Sequence, residues 1–190
     1  MSKNFDDLLS KLRVAETKKL SVAVAQDEPV LEAVKAAKDR GIADAILVGD
    51  KSKIKEVAAK IDMDLTDFEI IHEEDIKKAT LKAIQLVSSG AADMVMKGLV
   101  DTATFLRSVL NKEVGLRTGK LMSHVSVFEI EGIDRLILLT DAAFNTYPDL
   151  KQKVQIINNS VMVAKSCGIE NPKVAPVCAV EVVNPDMPAT

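Results

Sequence analysis

Tryptophan is absent from this 190-residue chain, tyrosine occurs once, and aromatic residues make up 3% of it. A core without large rings must be packed from aliphatic side chains, which a hydrophobic content of 47% supplies. The same scarcity, with a formal net charge of −3, leaves no basic face with interleaved aromatics, so nucleic acid is not an expected partner. Only two cysteines occur, Cys167 and Cys178, too few and too far apart for a CxxC metal or redox site. They are expected to be reduced, and their plain reading is as small core residues. No apolar run approaches the roughly 18 residues that cross a bilayer, so no membrane insertion is expected. Residues 1–20, MSKNFDDLLSKLRVAETKKL, lack the apolar centre of a signal peptide. They space Phe5, Leu8, Leu9 and Leu12 along one face of an amphipathic helix, and a cytoplasmic location follows as the expectation.

What is present is an alternation of apolar runs and amphipathic segments. Residues 20–25 read as a buried strand and 28–40 as a helix closed by Gly41. The step repeats with a strand at 45–48 and a helix at 51–61, then a strand at 68–71 and a helix at 75–89 ending at Gly90. It repeats again with a strand at 94–96 and a helix at 101–111. Continuously apolar strands alternating with helices predict a three-layer α/β/α fold around a mostly parallel sheet with right-handed crossovers. The pattern then changes. Two β-rich runs, 122–130 and 135–140, flank the short Glu131-Gly132-Ile133-Asp134 segment and predict an antiparallel hairpin. A long helix at about 148–166 and an apolar strand at 174–183 complete the reading. Residues 1–150 are expected to form a first α/β lobe, and 151–190 a linking helix and the first strand of an incomplete second lobe.

Residues 91–117, AADMVMKGLVDTATFLRSVLNKEVGLR, carry the strongest chemical signal. An apolar strand stops at Lys97-Gly98 and a helix begins near Asp101, so free backbone N–H groups point beyond the carboxyl end of the strand, where open α/β sheets collect ligands. Thr102 and Thr104 can add hydroxyl donors, Lys97 a point charge, and Arg107 a planar fork for a phosphate or carboxylate. The plain alternatives are solvated surface charge for Lys97 and Arg107 and a simple turn for Gly98.

Two further clusters follow. In Gly115-Leu116-Arg117-Thr118-Gly119-Lys120 the glycines let the backbone approach a ligand, while Arg117 and Thr118 reach it; Arg117 reads equally well as a loop charge. The GxxxxGK[ST] spacing of a Walker loop is absent. Ser123 and His124 come next, with a hydrogen-bonded structural histidine as the competing reading of His124. In residues 140–148, TDAAFNTYP, Asp141 sits at a strand's end, able to orient an arginine or accept a proton, and Asn145 can bond a ligand or its own turn. An Asx turn with a helix cap is the structural alternative for this pair. His72 with Glu73, Glu74 and Asp75 lacks HExxH spacing and reads as the polar entry to the next helix, so no metal is assigned.

In ADMVMKGLVDTATFLRSVL, GLRTGKLMSHVSVFE, LLTDAAFNTYPDL and VAPVCAVEVVNP, in this order, the chain resembles the phosphate acetyl/butyryltransferase family, closest to its phosphate butyryltransferase branch. The resemblance implies a fold like that of isocitrate and isopropylmalate dehydrogenases, two lobes around a cleft, and reversible conversion of acyl-CoA and phosphate to acyl phosphate and CoA. It implies a coenzyme A thioester as substrate, no tightly bound cofactor, and a homo-oligomer. It suggests Gly98, Thr102, Thr104 and Arg107 as phosphate or acyl-phosphate contacts, beside which Lys97 is read from its place as a further substrate-binding charge, Arg117, Thr118, Ser123 and His124 as cleft lining, and Asp141 and Asn145 at its floor. Arg107 and Asp141 are the residues expected to be catalytic. The family's pattern continues past the position of Thr190, where the resemblance places a Ser, an Arg and an Asp for phosphate binding and thiol deprotonation. The chain therefore reads as shortened relative to the family, and a non-catalytic CoA- or phosphate-binding or assembly lobe is the competing expectation.

Overall fold

A computed structural model describes residues 3–12, 15–178 and 180–187. The chain divides into two compact units: Lys11–Thr118, and Met1–Ser10 together with Gly119–Thr190. The first helix, α1 (Phe5–Leu12), starts in the second of these and is followed, in the first, by β1 (Lys18–Ala23), α2 (Glu28–Asp39), β2 (Ala43–Gly49), α3 (Lys51–Lys60), β3 (Glu69–His72), α4 (Ile76–Ser88), β4 (Met94–Lys97) and α5 (Thr102–Val109).

In this sheet unit the strand order is β3-β2-β1-β4, every pairing is parallel, and Val22 stands level with Leu47 on one side and Met96 on the other. Chain order reverses across β1, which sends α2 and α3 to one face and α4 and α5 to the other. Alternate side chains divide accordingly. Val22, Ala45 and Leu47 pack with Leu31, Val34 and Ile54, whereas Ala23, Ile46 and Val48 pack with Ala79, Ala83 and Val100. Both central strands are thus covered on both faces, as their apolar runs Val22-Ala23 and Ala45–Val48 require.

Aspartate starts the helices. Asp50 accepts from the Ser52 and Lys53 N–H groups at 3.0 and 3.3 Å, Asp75 from Lys78 at 2.8 Å and Asp101 from Thr104 at 2.8 Å. Each carboxylate satisfies N–H groups that a helix start leaves unpaired and faces the positive end of the helix dipole.

The hairpin unit contains β5 (Val125–Phe128), β6 (Ile137–Thr140) and α6 (Leu150–Ser166). The two strands pair antiparallel, with Val125 opposite Thr140. Asp149 opens α6 with a capping box, accepting from Gln152 N–H at 2.8 Å while its own N–H donates to Gln152 Oε1 at 2.8 Å. Tyr147, just before this cap, is 81% exposed. The Lys3 ammonium pairs with Asp134 at 2.9 Å, and Glu129 accepts the Phe5 N–H at 2.8 Å, tying the start of α1 to the turn of the hairpin.

Two expectations meet a different arrangement. The boundary expected near residue 150 falls within the hairpin unit, because α6 is tied to the segment entering β5: Gln155 accepts the Leu121 N–H at 2.9 Å, and Asn159 donates to the Leu121 carbonyl at 3.1 Å. The strand expected at 174–183 is not formed by its described residues. Val177 is 94% exposed, and an apolar run without a neighbouring strand has nothing to pair with. Cys178 lies in this segment and is exposed, not a core residue as the sequence suggested; Cys167 is half-buried at the end of α6. Among the described residues no helix is long and apolar enough to cross a membrane.

Candidate active site

At the carboxyl end of the parallel sheet, β4 stops where its backbone turns against β1. The Gly98 N–H donates to the Ala23 carbonyl at 2.8 Å and the Leu99 N–H to the Val24 carbonyl at 2.9 Å. A Cβ at position 98 would stand 2.4 Å from the Val24 oxygen and 2.6 Å from the Ala23 oxygen, closer than any side chain tolerates. Val24 has φ of +58°, a costly conformation for a β-branched residue, and the Leu99 contact helps hold it. Gly98 is therefore required by the approach of two backbones, and its N–H is already spent within the sheet.

The start of α5 is likewise partly occupied by the chain itself. Asp101 accepts from Thr104, whose hydroxyl and N–H hold the carboxyl below its usual range against the opposing effect of burial. Thr102 and Lys97 are exposed, with Lys97 Nζ 3.4 Å from the Gly98 carbonyl. Arg107 stands in the last turn of α5, away from its N-terminus, and its Nε donates to the Ala103 carbonyl at 3.2 Å. With Thr104, Ser108 and Asn111, and with Lys77 and Leu81 of α4, Arg107 lines a shallow recess of about 240 Å³. Two cations and no carboxylate line it, so it suits an anion. Lys77 had no distinguishing signal in the sequence, being one lysine among several on α4. Gly115 packs on the end of α5, where a Cβ would lie 2.3 Å from the Asn111 carbonyl oxygen and 2.6 Å from that of Val109. It therefore serves the chain's own return onto α5. Arg117 and Thr118 are exposed beyond it.

In the hairpin unit, Asp141 follows β6 and organises its loop. Its Oδ1 accepts the Ala143 and Phe144 N–H groups, each at 3.0 Å, and its Oδ2 accepts the Asn145 side-chain amide. Burial pushes this carboxyl up, but the Phe144 and Ala143 N–H groups, the Asn145 amide and the His124 backbone outweigh it and hold it below the usual range. Asp141 is thus a carboxylate at neutral pH. Asn145 also donates to the Met122 carbonyl at 3.0 Å, which uses both of its amide protons and leaves only its carbonyl oxygen for a ligand. The Asx-turn reading of this pair is the local structure.

His124 precedes β5 and meets the Phe144 ring edge-on, 5.9 Å between centroids. Its carbonyl accepts the Thr140 hydroxyl at 2.7 Å, while its Nδ1 is buried with no hydrogen-bond partner among the described residues. Ser123 Oγ accepts from Asn159 of α6 at 2.9 Å. Nothing in the sequence distinguishes Asn159; its place, one helical turn beyond Gln155 on the face that binds the Leu121 backbone, is evident only with α6 docked. His72, by contrast, accepts the Lys51 N–H through Nδ1 at 3.2 Å and stands 3.6 Å from Glu74, anchoring the start of α3. No group of three or more metal-ligating side chains occurs among the described residues.

Sequence and fold comparisons agree on what surrounds these residues. The phosphate butyryltransferases of Clostridium acetobutylicum and Clostridium beijerinckii are 68% and 70% identical over all 190 residues, and the chain spans 63% of the length of each. The phosphate acetyltransferase of Thermotoga maritima is 37% identical over 186 residues, 98% of this chain and 63% of that relative. Among solved structures, a branched-chain phosphotransacylase from Enterococcus faecalis superposes with a TM-score of 0.73 at 27% identity, covering 91% of this chain and 60% of that one. The family model described as phosphate acetyl/butaryl transferase matches residues 4–81 and 72–190. A match over nearly every residue, through both units, places the chain in the phosphate acetyl/butyryltransferase family.

Proposed function

We propose that the protein acts in the reversible transfer of an acyl group between coenzyme A and phosphate, with butyryl as the preferred acyl group. The observation that carries this reading is the identity of 68% and 70%, sustained over all 190 residues, to two phosphate butyryltransferases. In the forward direction a phosphate oxygen attacks the thioester carbonyl carbon, the new C–O bond forms as the C–S bond breaks, and the departing thiolate takes up a proton. Such a step calls for a held dianion, donors for the oxyanion and exclusion of competing water.

In the sheet unit, Arg107 and Lys97 supply positive charge, and Thr102 and Thr104 supply hydroxyls near the end of β4. Gly98 acts by letting β4 close on β1. In the hairpin unit, Ser123 offers a hydroxyl to the oxygens of phosphate or acyl phosphate, while His124 offers an imidazole and Asn145 a carbonyl oxygen to the acyl or CoA portion. Asp141, fully ionised at neutral pH, is a weak base and serves better as a fixed acceptor that orients a thiol or a cation. Arg117 and Thr118, exposed on the segment after Gly115, contribute further donors for CoA phosphates. The substrates are acyl-CoA, phosphate and acyl phosphate, no tightly bound cofactor takes part, and the protein works as a cytoplasmic homo-oligomer. The apolar side chains of Leu150, Val154 and Met162, exposed along α6, support association.

The test is release of free CoA thiol from butyryl-CoA by the purified protein. Release should require phosphate, and Arg107→Ala should raise the phosphate KM about tenfold or more with the far-UV spectrum unchanged, as expected for loss of a charge-assisted contact. No release from the folded protein, or release indifferent to phosphate, overturns the reading.

A further inference from the structure

Asn159 lies on α6, and one atom of it makes two contacts: Nδ2 donates to the Leu121 carbonyl at 3.1 Å and to Ser123 Oγ at 2.9 Å. The first contact fixes the identity of that atom, because a backbone carbonyl only accepts and its partner must therefore be the amide nitrogen. An amide nitrogen carries two protons, and each acceptor takes one. Ser123 Oγ thus accepts, and its own proton is not used on Asn159. The Ser123 hydroxyl donates to nothing else among the described residues. It is a half-buried donor with its rotor set from behind.

We propose that Asn159 is a positioning residue that presets the Ser123 hydroxyl as a hydrogen-bond donor to an anionic oxygen of phosphate or acyl phosphate. The proposal rests on the reading of Ser123 as a substrate contact given above. A free serine hydroxyl divides its time between donating and accepting orientations. One whose lone pair is already engaged keeps its proton for the ligand, and the acceptor it prefers is an anion. Gln155, one turn earlier, accepts the Leu121 N–H at 2.9 Å, so the backbone leading to Ser123 is held on both its donor and acceptor sides by the same helix. The arrangement fixes where the hydroxyl stands as well as how it points.

The experiment is a double-mutant cycle read by titrating the folded protein with inorganic phosphate in a calorimeter, using Ser123→Ala, Asn159→Leu and the double variant. Ser123→Ala should weaken phosphate binding about tenfold, Asn159→Leu should do nearly as much, and the double variant should be no weaker than Ser123→Ala alone. An Asn159→Leu loss that is equally large in the Ser123→Ala background overturns the proposal, since Asn159 would then act through Leu121 and the helix. Unchanged affinity in Ser123→Ala removes Ser123 from the phosphate site while leaving the acyltransferase reading to its own assay. A second measurement needs no ligand. In an amide NMR spectrum of the labelled protein, Ser123→Ala should shift one of the two Asn159 side-chain protons and leave the other, bound to Leu121, in place. Two unshifted protons overturn the proposal whatever the titration gives.

Discussion

At Gly98 a side chain would begin 2.4 Å from the carbonyl oxygen of Val24 and 2.6 Å from that of Ala23, backbone atoms at the end of β1 and just beyond it, which cannot swing aside as a side chain would. Gly98→Ala should therefore lower the free energy of unfolding by about 2–3 kcal/mol, the cost of overpacking at a rigid contact. A urea titration followed by circular dichroism measures this, and an unchanged midpoint would show that β4 can move away from Val24. The sequence made the place of Gly98 legible, at the end of an apolar strand and before a helix, but not its reason. By itself a glycine flanked by Lys97 and Leu99 reads as a simple turn, and only the resemblance suggests a phosphate contact there. The space it opens is filled by Ala23 and Val24, more than 70 residues earlier in the chain, and that pairing exists only once β1 and β4 are neighbours. For Asp141 and Asn145 the Asx-turn role was legible in the sequence, and the hydrogen bonds show how far each is committed to its own loop.

Helix beginnings repeat one device. An aspartate at the end of a strand or loop turns its carboxylate onto the first N–H groups of α3, α4, α5 and α6. For α6 the device is reciprocal, and Asp149→Ala should cost about 1 kcal/mol. Thermal unfolding detected at 222 nm checks this, with Asp149→Ser expected to restore most of the loss; equal melting of all three proteins would show that α6 is held by packing alone. Such elements were readable because capping and apolar periodicity are local. The hairpin was readable for the same reason, with Glu131-Gly132-Ile133-Asp134 marking its turn. The segment 174–183 was not, since its valines carry β propensity but a strand is completed by a neighbour, and propensity says nothing of one. Asn159 was illegible on similar grounds: an asparagine on a helix is ordinary until the element facing it is known.

At the scale of the molecule, the parallel sheet and the hairpin are separate compact units, and the chain passes between them at Ser10–Lys11 and again at Thr118–Gly119. The order of the candidate site segments along the sequence, first those after β4 and then those around β5 and β6, therefore maps onto one unit and then the other. Alternation of strands and helices made the sheet unit legible as a doubly covered parallel sheet, but the return of α1 to the hairpin was hidden, because it depends on Lys3 meeting Asp134 and Phe5 meeting Glu129.

The single tyrosine has an optical consequence. With no tryptophan in the chain and Tyr147 already 81% exposed, emission excited in the tyrosine band comes almost wholly from one ring on the hairpin unit. Its emission should change little through a denaturant titration in which the helical signal at 222 nm collapses, so fluorescence would report a folded protein after the sheet has gone. A large emission change coincident with the loss of ellipticity would mean that Tyr147 is covered in solution.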